Sequence, residues 1–206
     1  MIFYWFIQNF LVWPLASVIL RFFYTIEIRG RENLAGVKPP LIVVSNHKTL
    51  LDGFIMVVSF PWLSPVLPGR YMTEEIDFRA RALRILSKLK LLRLFYFLTG
   101  GFPSKRGQGI ENAIKIPAKI LKNGGTVLMF PEGFLIRGDE LGYFYHGTSA
   151  LALASKAPIL PVFIKVSSKK FTITFGKFFS LEAASMEEGT EILKNKILEL
   201  SHQDLQ

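Results

Sequence analysis

The pattern of apolar and polar residues predicts strands that alternate with helices along most of the chain. Leu41–Ser45 and Thr126–Phe130 are short, mostly apolar runs between turn residues, a pattern typical of strands buried on both faces. Thr25–Arg29 alternates like an edge strand. The other predicted elements are the strands Val66–Thr73, Ile159–Lys165 and Phe171–Phe175 (a second edge strand) and the helices Leu50–Ser59, Gln108–Lys122, Thr148–Lys156 and Glu187–Leu200. This order predicts an α/β fold with a mixed, mostly parallel sheet flanked by helices.

The first 24 residues differ from the rest, because the first twenty contain no charged side chain. We interpret residues 1–24 as a membrane-associating helical segment and residues 25–206 as the globular domain. Pro14 lies in the middle of the segment and should interrupt a helix. Three arrangements fit this pattern: a kinked single span, a monotopic hairpin of the helices Ile2–Trp13 and Leu15–Tyr24 in one leaflet, or a buried core helix. We favour the hairpin.

Charge and composition restrict the partners. Half of the residues are hydrophobic and the net charge is +9, so we expect an anionic partner. Lipid head groups fit better than nucleic acid, because the chain is rich in Phe and Leu and shows no zinc spacing or RNP-like motif. Cysteine is absent, which excludes a cysteine metal site, and the three histidines of the chain argue against a multi-His site. We therefore predict no metal. A chain without cysteine also suits a protein that faces the cytoplasm, and we predict a location on the cytoplasmic face of the cytoplasmic membrane.

A second candidate for lipid contact is the segment Asp77–Leu98. At helical spacing it carries an apolar stripe flanked on both sides by Arg and Lys. Such a helix can lie in the membrane interface while its long basic side chains reach lipid phosphates. An ordinary core-facing helix with a solvated face fits the pattern equally well.

The best candidate for chemistry is His47, directly after the predicted buried strand Leu41–Ser45. Ligands of open α/β sheets bind at the carboxyl ends of strands. If His47 stays on the strand-to-helix turn, Asp52 on the first helical turn can reach back to its Nδ1–H and leave Nε2 free to accept a proton. Since no Ser or Cys nucleophile accompanies this pair, the nucleophile would be a hydroxyl of the substrate.

Four blocks then resemble the glycerolipid acyltransferase family, which includes the 1-acylglycerol-3-phosphate acyltransferases. Asn46–Asp52 matches its NH-x4-D motif, and Phe130-Pro131-Glu132-Gly133 resembles its FPEG block. Gly100–Arg106 (a glycine followed six residues later by arginine) and Ala157–Val162 resemble its second and fourth blocks. The blocks occur in family order and cover residues 25 to about 166.

The resemblance implies an O-acyltransferase of phospholipid synthesis with His47 as general base and Asp52 as its partner. It places the acceptor at Arg106, Glu132 and Gly133, and we add the neighbouring Lys105. The donor would be acyl-CoA or acyl carrier protein, with no further cofactor, and the leading acceptor is 1-acylglycerol 3-phosphate.

The chain also departs from the family pattern on the acceptor side. After Glu132-Gly133 the family continues Thr-Arg-Ser, whereas this chain has Phe134-Leu135-Ile136 and then Arg137, which we include in the predicted site. Another lysophospholipid, glycerol 3-phosphate and an acylated amino-acid lipid therefore stay open as acceptors. A non-catalytic lipid-binding protein on the same fold stays open as an alternative function.

Overall fold

The computed structural model describes residues 2–73, 91–103, 109–136, 138 and 140–203. In these residues the helices are α1 (Ile2–Ile7), α2 (Trp13–Phe23), α3 (Asp52–Ser59), α4 (Leu91–Thr99), α5 (Ile110–Lys122), α6 (Gly147–Ser155) and α7 (Met186–Gln203). The strands are β1 (Thr25–Arg29), β2 (Leu41–Ser45), β3 (Gly69–Thr73), β4 (Gly101–Pro103), β5 (Thr126–Met129), β6 (Ile159–Ser167) and β7 (Lys170–Phe175). A π-helical turn, Gln8–Val12, joins α1 to α2, and a 3-10 helix, Arg31–Leu34, follows β1.

These strands form one sheet in the order β1-β7-β6-β2-β5-β3-β4. Among its neighbouring strands, β6 and β7 pair antiparallel and the five other pairs are parallel. The predicted mixed, mostly parallel sheet is therefore confirmed. Because β2 is parallel to both β5 and β6, the carboxyl ends of these three strands lie side by side at the same end of the sheet.

Apolar side chains cover both faces of the central strand. Every residue of β2 is buried, as its continuous apolar run predicted. Leu41 and Val43 belong to a core with residues of α2 and α3, whereas Ile42 and Val44 belong to a second core with residues of α5, α6 and α7. Successive side chains thus enter opposite layers. A shift of β2 by one residue would exchange the two sets of side chains, so the register of β2 in the sheet is fixed.

Most predicted boundaries agree with the structure to within two or three residues. The strand predicted as Val66–Thr73 begins later, at Gly69, directly after Pro68. Strand β4 has three residues and was not predicted. Its shortness explains the omission, since three residues are too few to show a period-two pattern.

The prediction that Phe171–Phe175 is an edge strand is wrong. Strand β7 pairs with β6 on one side and with β1 on the other, and the edges of the sheet are β1 and β4. The error has a physical cause. Thr172 and Thr174 make the strand look half-polar, yet both threonines are buried, at 6% and 5% exposure.

Residues Ile2–Phe23 form one continuous helical run. The backbone stays right-handed helical at Ile7 and Val12, where the π-helical turn begins and ends. The predicted hairpin of two separate helices is therefore wrong. The π-helical turn explains how the run continues through Pro14. In this wide turn the Trp13 N–H bonds to Gln8 O, five residues back, so the backbone accommodates the following residue, which has no N–H.

Polar side chains hold the middle of this run against the globular part. Gln8 is fully buried; its Oε1 accepts from Gly69 N at 2.9 Å, and its Nε2 donates to Gly69 O at 2.7 Å and to Thr99 O at 2.8 Å. The Trp13 indole donates to Phe60 O at 3.0 Å. The run therefore lies along the domain instead of projecting from it.

The other side of the run exposes large apolar side chains. Leu15, Val18 and Phe22 are 63%, 71% and 81% exposed, so the alternative of a buried core helix is wrong. The exposed apolar residues of the run are Ile2, Phe3, Trp5, Phe6, Phe10, Leu11, Leu15, Val18, Ile19, Phe22 and Phe23. By length and composition Ile2–Phe23 could cross a bilayer.

The predicted interfacial helix Asp77–Leu98 falls mostly outside the described residues. Its last part, from Leu91 onward, is helical in α4 and exposes Leu94 and Phe97. The lipid contact of this segment stays a prediction.

Candidate active site

His47 lies in the turn that follows β2, and the residue before it fixes where that turn starts. Asn46 is fully buried, and its side-chain amide pairs with the main chain of β6: Nδ2 donates to Ile164 O at 2.8 Å and Oδ1 accepts from Ile164 N at 2.7 Å. The amide thus extends the β2–β6 ladder by one position. His47 is therefore the first residue free to leave the sheet.

Asp52, the first residue of α3, reaches back to His47 as the sequence predicted. Its Oδ2 lies 2.8 Å from His47 Nδ1 and also accepts from Lys48 N at 2.6 Å and Thr49 N at 2.9 Å. Its Oδ1 accepts from the Thr49 hydroxyl at 2.7 Å. The carboxylate is fully buried, so these donors replace water around its charge. The pairing is confirmed, whereas the catalytic role of both residues stays a prediction.

The imidazole presents its other nitrogen outward. Because a carboxylate can only accept, Nδ1 carries the ring proton and the neutral ring keeps Nε2 as an acceptor. Nε2 has no hydrogen-bond partner among the described residues, and the His47 side chain is 23% exposed. One ring face stacks on Phe130, with centroids 4.5 Å apart and planes at 22°. In this arrangement Nε2 can accept a proton from a hydroxyl that approaches the carboxyl ends of the central strands.

Glu132 meets His47 because β2 and β5 are parallel neighbours. Val44 pairs with Met129, so the residues three positions further along each chain come together beyond the strand ends. Glu132 is 1% exposed; its Oε2 accepts from His47 N at 2.5 Å and its Oε1 from Gly142 N at 2.7 Å. The structure therefore places Glu132 beside the histidine main chain. Its predicted acceptor contact stays untested.

Gly133 begins the loop that leaves the site. Its φ of +68° is a conformation that favours glycine, and its N–H donates to Phe130 O at 3.0 Å. Three residues later Ile136 N donates to His47 O at 2.9 Å. This loop therefore borders the histidine directly, whereas the predicted acceptor contact of Gly133 stays a prediction.

The three predicted basic residues, Lys105, Arg106 and Arg137, lie outside the described residues, and their part in phosphate binding stays a prediction. Lys48, the residue after His47, contacts the loop that follows Gly133. Its ammonium donates to Gly138 O and to Glu140 O, both at 2.8 Å. Lys48 thus fastens the loop after Gly133 to the turn that carries His47.

The sequence analysis did not predict the supporting contacts of Asn46, Thr49 and Phe130. Thr49 had a usable signal, because a hydroxyl three residues before a helical Asp can reach its carboxylate. Asn46 and Phe130 had none, since their contacts depend on which strands are neighbours. Among the described residues, no group of three or more His, Asp or Glu could hold a metal ion.

Comparison with known proteins gives three findings. A family model described as "Acyltransferase" matches residues 25–165. The 1-acyl-sn-glycerol-3-phosphate acyltransferases of Pseudomonas aeruginosa and Saccharomyces cerevisiae are 30% and 31% identical over 159 and 158 residues. These matches cover 76% and 74% of this chain but 55% and 47% of the relatives, so the chain spans about half the length of the curated relatives it matches.

The third finding concerns the fold. The crystal structure of the 1-acyl-sn-glycerophosphate acyltransferase PlsC from Thermotoga maritima superposes with a TM-score of 0.70. The match covers 93% of this chain and 78% of that chain, at 17% sequence identity. At this identity the likeness supports the α/β architecture alone.

Proposed function

The chain belongs to the acyltransferase family, and we propose that it transfers a fatty acyl group from a thioester donor to the hydroxyl of a lysophospholipid, with 1-acylglycerol 3-phosphate as the leading acceptor. The observation that carries the proposal is the His47–Asp52 pair, 2.8 Å apart at the end of β2, with Nε2 directed away from the carboxylate. The names of the relatives support the choice of acceptor.

The reaction needs one base and no nucleophile of the protein. His47 Nε2 takes the proton of the acceptor hydroxyl as the oxygen attacks the thioester carbonyl. The ester C–O bond forms, the C–S bond breaks, and the imidazolium returns its proton to the leaving thiolate. Asp52 keeps its charge throughout and stabilises the imidazolium that forms between these steps. Since the thioester already supplies an activated carbonyl, we propose acyl-CoA or acyl carrier protein as co-substrate and no further cofactor.

The acceptor phosphate is assigned to the basic residues of the second and third family blocks. Arg106 offers a planar, permanently charged fork that suits phosphate, and Lys105 and Arg137 would add positive charge. The departure from the family pattern at Phe134–Ile136 replaces an arginine and two hydroxyls by apolar side chains. Phe134 and Leu135 are exposed, so glycerol 3-phosphate and an acylated amino-acid lipid belong in the test.

We propose that the protein associates with a membrane, and the exposed apolar side of Ile2–Phe23 supports this proposal. A lysophospholipid is delivered by a bilayer, and an exposed apolar helix beside the domain can contact one. We propose attachment to the cytoplasmic face of the cytoplasmic membrane, because the thioester donors are cytoplasmic. Arg21, in the last turn of α2, would then lie on the basic, cytoplasmic side.

The test is transfer of labelled acyl groups from acyl-CoA and acyl carrier protein to a panel of lysolipids, glycerol 3-phosphate and acylated amino acids. His47→Ala should lower kcat by about 10²–10⁴-fold. His202→Ala is the matched control, because this histidine is exposed near the end of α7. Lipid binding without turnover by the wild type would instead favour a non-catalytic lipid-binding protein, and a folded His47→Ala variant with full activity would refute the base.

A further inference from the structure

The carboxylate of Glu132 is committed to two main-chain partners. One oxygen accepts from His47 N at 2.5 Å and the other from Gly142 N at 2.7 Å, and the side chain is 1% exposed. Glu132 and Asp52 are the two buried acidic side chains of the described residues, and both contact His47. A buried carboxylate is stable when charge-assisted hydrogen bonds replace its hydration, and here the main chain of the active-site turn supplies them.

His47 is consequently held on several sides. Asp52 binds its ring nitrogen, Glu132 its main-chain N–H, Ile136 its main-chain carbonyl, and Phe130 one face of its ring. Of these four contacts, the one with Glu132 joins the main-chain N–H of His47 to a side-chain carboxylate.

The space around the second oxygen of Glu132 is filled. A Cβ added at Gly142 would lie 2.7 Å from Ile136 Cδ1 and 3.5 Å from Glu132 Oε1. The loop therefore covers this carboxylate oxygen, and Gly142 is the loop residue that lies against it. An acceptor hydroxyl would have to displace the Gly142 amide to reach that oxygen.

We propose that Glu132 is a positioning residue that acts on the reaction through His47, and that it is not a direct ligand of the acyl acceptor. This inference rests on the proposed acyl transfer. By fixing the His47 main chain from one side while Asp52 fixes the ring from the other, Glu132 sets where Nε2 meets the acceptor hydroxyl.

The chemistry of the two partners makes this role testable with a nearly isosteric change. Both partners are N–H donors, and a carboxylate can accept from both. In Glu132→Gln the side-chain oxygen can accept from one amide, but the side-chain NH2 then faces the other N–H. If the NH2 faces His47 N, the His47 main chain is displaced directly. If it faces Gly142 N, the loop is displaced together with Ile136, whose N–H donates to His47 O, so the His47 main chain should move in either case.

The kinetic test measures kcat and the acceptor KM of Glu132→Gln in the full chain with the donor and acceptor that support turnover. A small displacement of a catalytic base lowers the rate strongly, so we expect kcat to fall by about 10–100-fold with KM within about twofold. Glu188→Gln is the matched control, because the Glu188 carboxylate also accepts from a main-chain N–H, that of Ala184 at 2.8 Å, at the start of α7. It should leave both constants unchanged.

A direct readout of the contact uses protein labelled with 15N-histidine, which shows three main-chain amides because the chain has three histidines. The amide proton of His47 should shift upfield and exchange faster with solvent in Glu132→Gln, whereas those of His146 and His202 stay in place. This signal does not depend on activity, so it distinguishes failure of the positioning role from failure of the proposed acyl transfer.

A risen acceptor KM with unchanged kcat would overturn the inference and assign Glu132 to the acceptor. An unmoved His47 amide would overturn it as well, even if the wild type transferred no acyl group. If Glu132→Gln did not fold, Gly142→Ala would replace it. The added methyl would lie 2.7 Å from Ile136 Cδ1, which should displace the loop that carries the Gly142 N–H away from Glu132, so kcat should fall with unchanged KM. Full activity of a folded Gly142→Ala variant would count against the role.

Discussion

Asp52→Asn separates the charge of the His47 partner from its shape. The Asn oxygen can occupy the place of Oδ2 and accept from His47 Nδ1, Lys48 N and Thr49 N, which lie 2.8, 2.6 and 2.9 Å from Oδ2 in the structure. The Asn NH2 would face the Thr49 hydroxyl, which can turn and accept. The turn should therefore keep its conformation and the ring its tautomer. What the substitution removes is the negative charge beside the imidazolium.

The magnitude follows from the geometry. Two unit charges about 4 Å apart attract by about 4 kcal/mol at an effective dielectric constant near 20. Asp52 is fully buried but the His47 side chain is 23% exposed, so solvent weakens the interaction, and we use about 2–4 kcal/mol. Since each 1.36 kcal/mol is about a tenfold change in rate, kcat should fall by about 30- to 900-fold.

The assay is initial-rate kinetics at saturating donor and acceptor, together with thermal melting to confirm the fold. Glu199→Gln serves as the control for loss of one acidic charge, because Glu199 is an exposed partner of Lys196 at 2.9 Å. We expect the control to retain full activity. A folded Asp52→Asn enzyme whose kcat lies within about threefold of the wild type would refute electrostatic stabilisation of His47 by Asp52.

Three further predictions test the framework around the site. Asn46→Ala leaves both main-chain groups of Ile164 without their partner, so the free energy of unfolding should fall by about 2–5 kcal/mol in denaturant titrations; an unchanged midpoint would contradict the strand-extending role. Gln8→Leu removes three buried main-chain contacts, and hydrogen exchange in α1 and α4 should rise; unchanged protection would show that apolar packing alone holds the helical run. Burial raises the pKa of the Tyr71 hydroxyl from 10.0 to about 12, so as the pH rises the unfolded chain loses this proton before the folded protein does. About 2–3 kcal/mol of the free energy of unfolding should therefore be lost between about pH 10 and about pH 12. Tyr71→Phe should lack this contribution to alkaline destabilisation, and identical pH profiles of the two proteins would contradict it.

Short-range features could be predicted from the sequence because their causes are local. The apolar run Leu41–Ser45 was sufficient to predict a buried central strand. The contact of His47 with Asp52 was predicted on the condition that His47 stays on the strand-to-helix turn, and the structure meets that condition. The charge-free stretch before Arg21 likewise predicted a helical segment with an apolar surface. In each case the interacting residues are close along the chain or follow a regular period.

Long-range features depended on the order of the strands, which the sequence does not state. Phe171–Phe175 was predicted to be an edge strand, whereas pairing with a strand on each side buries it, including its two threonines. The hairpin predicted around Pro14 failed for a related reason: the buried contacts of Gln8, 61 and 91 residues away, favour one continuous run with a π-helical turn.

The sequence by itself determined most of the helices and strands and brought His47 and Asp52 within reach of each other, because hydrophobic periodicity and one tight turn are properties of neighbouring residues. Only the tertiary structure decided how that pair is supported. Glu132 lies 85 residues from His47 and reaches it because β5 happens to pair with β2 in parallel, with Met129 opposite Val44. A contact of that kind requires the closure of a long loop, and its partner is set by the packing of the whole sheet.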